Sequence, residues 1–281
     1  MLTGLLCAAV LSGCGRSATG ERTAEVAAAK QKEQATDRTE SDRRAEAEAD
    51  AAPDPYRRFE PEELKSFYDV YRYPDTTALV EPPAITGDQA ADERVRAIAY
   101  RRGYRLRSEA DPGSLVEVEG KRLQPAAAEA WRELEAAALA EGIELGLISG
   151  YRSVSRQREI FLSVLSREAE KAIGRAYTPE EIAAGDADQV VDAILRTYSI
   201  PGYSKHHTGY TVDITDVTSG RDFTEFGETA GFRWISADNY ANAMRFGFLP
   251  SYPEGVADQG PIPEPWEYVW VGREALEREA D

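Results

Sequence analysis

At 281 residues the chain is long enough for one sizeable domain with extensions, and a hydrophobic content of 42% supports a packed core. A formal net charge of −17 and a pI near 4.7 give the chain no electrostatic attraction to nucleic acid or to an anionic membrane surface, so nucleic-acid binding is disfavoured. The two cysteines, Cys7 and Cys14, both lie at the extreme N-terminus, which excludes a disulfide or a cysteine-based zinc site in the body and leaves His, Asp and Glu as the available metal ligands.

The first residues, MLTGLLCAAVLSGCGRS, carry an apolar run ending in Leu11-Ser12-Gly13-Cys14 that is too short to span a bilayer but the right size for a signal-peptide core. Residues 1–14 resemble a bacterial lipoprotein signal. That resemblance implies lipidation at Cys14, a membrane anchor and an extracytoplasmic location, in the periplasm or on the outer cell surface. An ordinary cleaved secretory signal is the alternative, because no Lys or Arg precedes the apolar run.

Residues 15–55 are Ala, Glu, Arg, Lys, Asp, Gln and Thr with almost no large apolar side chain. Such a segment cannot bury enough surface to offset its ordering entropy, and it reads as a disordered tether. Residues 56–88 are richer in aromatics and proline and read as an N-terminal extension with one short helix after Glu60. The main domain is expected over 89–281.

Within that domain, Gln124 to Glu141 has the periodicity of an amphipathic helix with Pro125 in its first turn and Gly142 placed to stop it. Ile143 to Ser149 reads as a strand delivering Ser-Gly-Tyr-Arg-Ser, residues 149–153. A second helix follows from about Ser155, and Thr178-Pro179-Glu180-Glu181 opens a third. Tyr210 to Ile214 alternates as a strand, Ala230 to Phe246 reads as helical, and Trp266 to Val271 is β-prone. Helices and short strands mix without a βαβ repeat, which makes the fold class α+β.

The only two histidines, His206 and His207, stand in Ser-Lys-His-His-Thr-Gly-Tyr-Thr-Val-Asp, residues 204–213. Imidazole and carboxylate suit zinc, but spacing alone leaves open a hydrogen-bonded structural pair. The surrounding blocks narrow the choice. Ser-Gly-Tyr-Arg-Ser precedes the histidines; Phe-Arg-Trp, Asn-Ala, Phe-Gly-Phe, Tyr-Pro and then Glu264-Pro265-Trp266 with Val-Gly follow them.

From about Arg122 to Gly272 this succession resembles the zinc D-alanyl-D-alanine carboxypeptidase family, which includes the vancomycin-resistance D,D-carboxypeptidases and dipeptidases and the related L,D-carboxypeptidases. The resemblance implies a small, mostly antiparallel sheet flanked by helices, of the D,D-peptidase or hedgehog-like type. It makes His206 and Asp213 zinc ligands and Glu264 the general base that takes a proton from zinc-bound water. Arg152 falls on the arginine that meets the substrate's carboxylate or the attacked carbonyl, and Gln157 and Ser204 fall on positions that help hold the peptide. His207 matches no ligand and is expected to point away from the site.

The family's third ligand is a histidine three residues after the base, and here that position is Glu267. Either Glu267 ligates, giving a His, Asp, Glu site that takes Zn²⁺ or a harder divalent ion, or the site is degenerate and holds no ion. The first reading gives a metal-dependent peptidase, expected as a monomer, that removes the terminal D-Ala from peptidoglycan stem peptides. The second gives a non-catalytic stem-peptide-binding lipoprotein. A structural envelope lipoprotein whose work lies in the tether is a third.

Overall fold

The computed structural model describes residues 58–277, and these fall within one compact unit, Pro55–Asp281. The signal-like segment with Cys14 and the tether lie outside the described residues.

Helix α1 (Pro61–Val70) begins where Glu60 and Glu63 form a reciprocal capping box and Pro61 occupies the first turn, as expected of the helix after Glu60. It buries Leu64 and Tyr68 in the same core as the sheet. A short strand β1 (Thr76–Ala78) leads to α2 (Gln89–Arg101), capped by Asp88, and then to β2 (Ser108–Ala110), which pairs antiparallel with β1. A tight hairpin, β3 (Val116–Val118) and β4 (Lys121–Leu123), precedes α3 (Pro125–Ala140).

The main sheet is four-stranded and wholly antiparallel. Its strands are β5 (Leu145–Ser149), β6 (Thr211–Asp216), β7 (Phe248–Tyr252) and β8 (Glu264–Trp270), in the order β5-β6-β8-β7. Between β5 and β6 run α4 (Val154–Ile173), α5 (Pro179–Ala184) and α6 (Asp188–Ile194), which with α2 enclose a second apolar cluster around Phe161, Ile98 and Val191. The architecture is the α+β class expected, with a small antiparallel sheet flanked by helices.

The helical stretch expected over Ala230 to Phe246 comprises two helices, α7 (Ala230–Ile235) and α8 (Ala237–Met244). Asp238, Asn239 and Tyr240 follow one another at φ of 49°, 59° and 65°, a left-handed turn that costs roughly 1–2 kcal/mol per L-residue. Asn239 offsets that cost: its side chain accepts from the Phe59 N–H and donates to the Phe59 carbonyl, fastening the start of α1. Helical periodicity carries no record of this distant partner.

The core against the sheet centres on Trp131 of α3, whose ring is fully buried beside Leu134, Val212 and Tyr210. Its indole N–H donates to Glu119 at 2.7 Å, and the other Glu119 oxygen accepts from the Leu147 N–H at 2.9 Å. One carboxylate therefore ties α3, the β3–β4 turn and β5 together. Truncating Trp131→Ala is expected to cost about 3–5 kcal/mol, from lost burial and the cavity left behind. Urea unfolding followed by far-ultraviolet circular dichroism measures this as a shift of the midpoint.

Candidate metal centre and cleft

Antiparallel register puts the first two acids face to face. Asp213 on β6 is paired with Glu267 on β8, and Ser149 on β5 is paired with Asp213 on the other side, so all three side chains share one face of the sheet. Two irregularities aim this face. β5 spends two residues, Leu147 to Ser149, against one step of β6, which bulges Ile148 outward and turns Gly150 to Ser153 over the site. β8 spends four residues, Glu264 to Tyr268, against two of β7. Pro265 lies in that stretch, where its missing N–H leaves no ladder bond unmade, and Glu264 and Glu267 both reach the cleft.

His206 arrives from a single 3₁₀ turn, Lys205–Thr208, capped by the Ser204 hydroxyl and closed by Gly209 at φ 73°. A side chain at Gly209 would also meet Leu115 at 2.9 Å, so glycine serves both conformation and packing there. The turn is tied to the Gly150–Ser153 loop by the Arg152 N–H, which donates to the His206 carbonyl. His206 Nδ1 sits 2.7 Å from the Gly150 carbonyl and can only donate to it, which leaves Nε2 to present its lone pair when the ring is neutral.

That Nε2 lies 3.4 Å from Asp213 Oδ2 and 3.3 Å from Glu267 Oε2, and all three residues are buried. Donors at 2.0–2.2 Å from a tetrahedral zinc stand roughly 3.3–3.6 Å apart. The remaining Asp213 oxygen, Oδ1, is buried without a hydrogen-bond partner among the described residues. A lone pair facing two carboxylates, with an orphaned carboxylate oxygen beside them, is a donor set that fits a divalent cation.

Without an ion the same charges act on one another. Burial works against the charged imidazole, but the Asp213 carboxylate, with help from Glu267, outweighs it and raises His206 to about 9, Arg152 subtracting part of the effect. Burial also opposes ionisation of Glu267, yet contact with His206, the charge of Lys205 and the Ser251 hydroxyl hold it at about 2. Glu264 is pushed well above the carboxylate range by burial first and then by Glu267 and Asp213. One of three clustered acids thus carries a proton most readily, as expected of carboxylates that share a site.

The structure brings Arg152, Ser204, His206, Asp213, Glu264 and Glu267 onto one cleft of about 280 Å³. Arg152 donates to Gln157 at 2.9 Å and to Ser149 at 3.3 Å, with Asp213 at 3.9 Å. Gln157 itself is fully buried and donates to the Ser199 carbonyl at 2.6 Å. It therefore stands behind Arg152, fixing the guanidinium, instead of touching the cleft as the peptide-holding role required. His207 uses both ring nitrogens structurally, donating from Nδ1 to the Arg152 carbonyl and accepting at Nε2 from the Gly202 N–H. Burial lowers it to about 4, and it is not among the residues lining the cleft.

Several cleft walls went unread in the sequence: Tyr104, Tyr198, Phe223 and Tyr252 come from four separate segments. Only Trp266, inside the Glu-Pro-Trp block, had a local signal. Ser251 also went unread; its hydroxyl donates to Glu267 Oε1 at 2.5 Å. Lys205 is buried as well, and burial with the charge of Arg107 pulls it well below the lysine range while Glu267, Glu264 and Asp69 oppose this.

An antiparallel sheet carrying a His, Asp, Glu donor set with a third acid, Glu264, beside it is the class of site that can hold a divalent cation in a cleft. The family model for D-alanyl-D-alanine carboxypeptidases (VanY) matches residues 120–273, more than half of the chain, and the protein belongs to that family. Among similar proteins, YodJ of Bacillus subtilis (strain 168) is 29% identical over 195 residues, 65% of this chain and 62% of the relative. A D-alanyl-D-alanine carboxypeptidase of Enterococcus faecalis (strain ATCC 700802 / V583) is 30% identical over 145 residues, 51% of this chain and 46% of the relative. The chain thus spans less than two thirds of the length of either. Similar solved structures include VanYB in complex with D-alanine-D-alanine, at 28% identity and a TM-score of 0.43, covering 57% of this chain and 78% of that one. The LdcB LD-carboxypeptidase is similar at 27% identity and a TM-score of 0.43, covering 59% and 71%.

With only two histidines, the titration of the metal-free protein is directly readable by ¹H–¹³C NMR. His206 is expected to titrate near 9 and His207 near 4, and ZnCl₂ should abolish the first transition and spare the second. The raised value means that the contribution of His206 to stability is complete below about 6.5 and is lost as pH rises through about 9. His207 has the opposite sign: its neutral burial costs stability as pH falls from about 6.5 towards 4. Two histidines titrating together near 6.5 would contradict the site's charge arrangement.

Proposed function

We propose that this protein is a metal-dependent carboxypeptidase that removes the terminal D-Ala from peptidoglycan stem peptides, held outside the cytoplasm by a lipid on Cys14. The observation that carries this reading is the spacing of His206 Nε2, Asp213 Oδ2 and Glu267 Oε2, with Glu264 lining the same cleft. Family membership and the Enterococcus faecalis relative support the substrate class.

His206, Asp213 and Glu267 would hold the ion, with Zn²⁺ suited to the imidazole and carboxylate donors. A divalent ion there supplies a lowered pKa for water, about 7 in zinc enzymes, and polarisation of a carbonyl. Glu264, buried and raised by its acidic neighbours, takes a proton from the attacking water at its carboxylate and returns it to the leaving amine. Arg152, braced by Gln157 and Ser149, offers its guanidinium fork to the peptide's terminal carboxylate or to the carbonyl under attack. Ser204 offers a further polar contact, while Tyr252, Phe223 and Trp266 exclude water from the walls.

One observation favours the non-catalytic stem-peptide binder: an imidazolium at His206 can itself bridge Asp213 and Glu267 without an ion. Metal analysis of the purified protein together with D-Ala release from muropeptides separates the two readings. An enzyme should retain close to one equivalent of a divalent ion and release D-Ala. Less than about a tenth of an equivalent with no release supports the binder.

Glu264→Gln is expected to lower kcat by about 10²- to 10⁴-fold with metal content unchanged, as measured by D-Ala release and elemental analysis of the same sample. Glu267→His should raise zinc affinity and D-Ala release together. If Glu267→Ala leaves both metal content and activity at wild-type levels, Glu267 is not a ligand.

A further inference from the structure

Behind Glu267 lies a chain of contacts that the proposed reaction does not use. The two Glu267 oxygens are differently engaged: Oε2 faces His206 at 3.3 Å, whereas Oε1 accepts from the Ser251 hydroxyl at 2.5 Å. The carbonyl of the same Ser251 accepts from Lys205 Nζ at 2.6 Å. Lys205 is only 3% exposed, and its Nζ lies between two aromatic faces, 3.9 Å from the Tyr68 ring centroid and 4.0 Å from that of Tyr252. Tyr68 belongs to α1, in the segment 56–88 for which the sequence offered no role, and its hydroxyl donates to the Pro250 carbonyl at 2.9 Å. Successive carbonyls of β7, at Pro250 and Ser251, thus accept from Tyr68 and Lys205.

A carboxylate can present one oxygen or both to a cation, and the choice changes coordination number and geometry. Here one oxygen is committed to a hydroxyl whose own backbone is fixed by a buried amine. An N–H at Lys205 Nζ makes that contact in either protonation state, and two ring faces confine the group.

Building on the metal-centre reading above, we propose that Ser251, Lys205 and Tyr68 form a positioning relay that holds Glu267 to one-oxygen coordination, making the N-terminal extension a structural part of the metal centre. Ser251 anchors Oε1 directly. Lys205 and Tyr68 hold the β7 backbone that carries Ser251. None of the three lines the cleft.

The test uses the full chain and simple salts, CoCl₂ and ZnCl₂, and needs no turnover. In the wild type, Co²⁺ should give the intense visible absorption of a four-coordinate site. Ser251→Ala frees Oε1, and the spectrum should weaken towards that of a higher-coordinate ion while Zn²⁺ affinity falls about 10- to 100-fold. Ser251→Thr, which keeps the hydroxyl, should restore both. Lys205→Met and Tyr68→Leu should shift the spectrum in the same direction as Ser251→Ala.

Melting of the metal-free variants, read alongside, separates a local effect from unfolding. A spectral change in a variant whose metal-free melting matches wild type supports the relay. A wild-type Co²⁺ spectrum in Ser251→Ala overturns the relay while leaving the metal centre intact. The same spectrum in folded Lys205→Met overturns the part beyond Ser251. A wild-type protein that takes up neither ion overturns the metal reading, and the relay with it.

Discussion

Asp213 and Glu267 are directly opposed across two antiparallel strands, on a largely buried face that lines the cleft. Like charges in that relation repel, and desolvation compounds the cost. The surrounding structure answers this one constraint. His206 is brought in by a 3₁₀ turn so that a single nitrogen meets both acids, Arg152 approaches Asp213 from the β5 loop, and Ser251 donates to Glu267. Glu264, the fourth member of the cluster to carry a carboxyl or imidazole, is left with a raised affinity for a proton.

Regular pleating alone would not assemble this arrangement. Strand alternation sends residues three apart to opposite faces, so Glu264 and Glu267 converge because β8 is irregular around Pro265. The bulge at Ile148 likewise turns Gly150 and Arg152 towards His206, where the Gly150 carbonyl selects the ring's tautomer. Departures from strand regularity thus carry the site, while the regular part of the sheet, packed on Trp131, carries the stability.

Much of this was legible locally. Caps and prolines marked the helix starts: Thr178 with Pro179 and two acids at the start of α5, and Pro125 in the first turn of α3, are short-range devices. The candidate ligands were legible because a chain with two histidines and no body cysteine offers few donors, and because the motif blocks stand in a recognisable order. The break within Ala237–Met244 was not, since its cause is a side chain bonding to residue 59, far away in the sequence. Gln157 was misplaced for a similar reason: its type suits contact with a peptide, and only packing decides that it faces Arg152 from behind.

Residue chemistry and pattern by themselves determined the class of fold and the donor types open to a metal, and the resemblance of the motif blocks to a known family pointed to His206, Asp213, Glu264 and Glu267. Tertiary structure decided that the acids oppose one another in register, that His206 Nε2 rather than Nδ1 faces them, and that α1 reaches the back of the site through Tyr68 and Lys205. The division follows from range. Propensities, caps and motif order are written in neighbouring residues, whereas strand register, bulges and buried charge depend on segments that meet only when the chain folds.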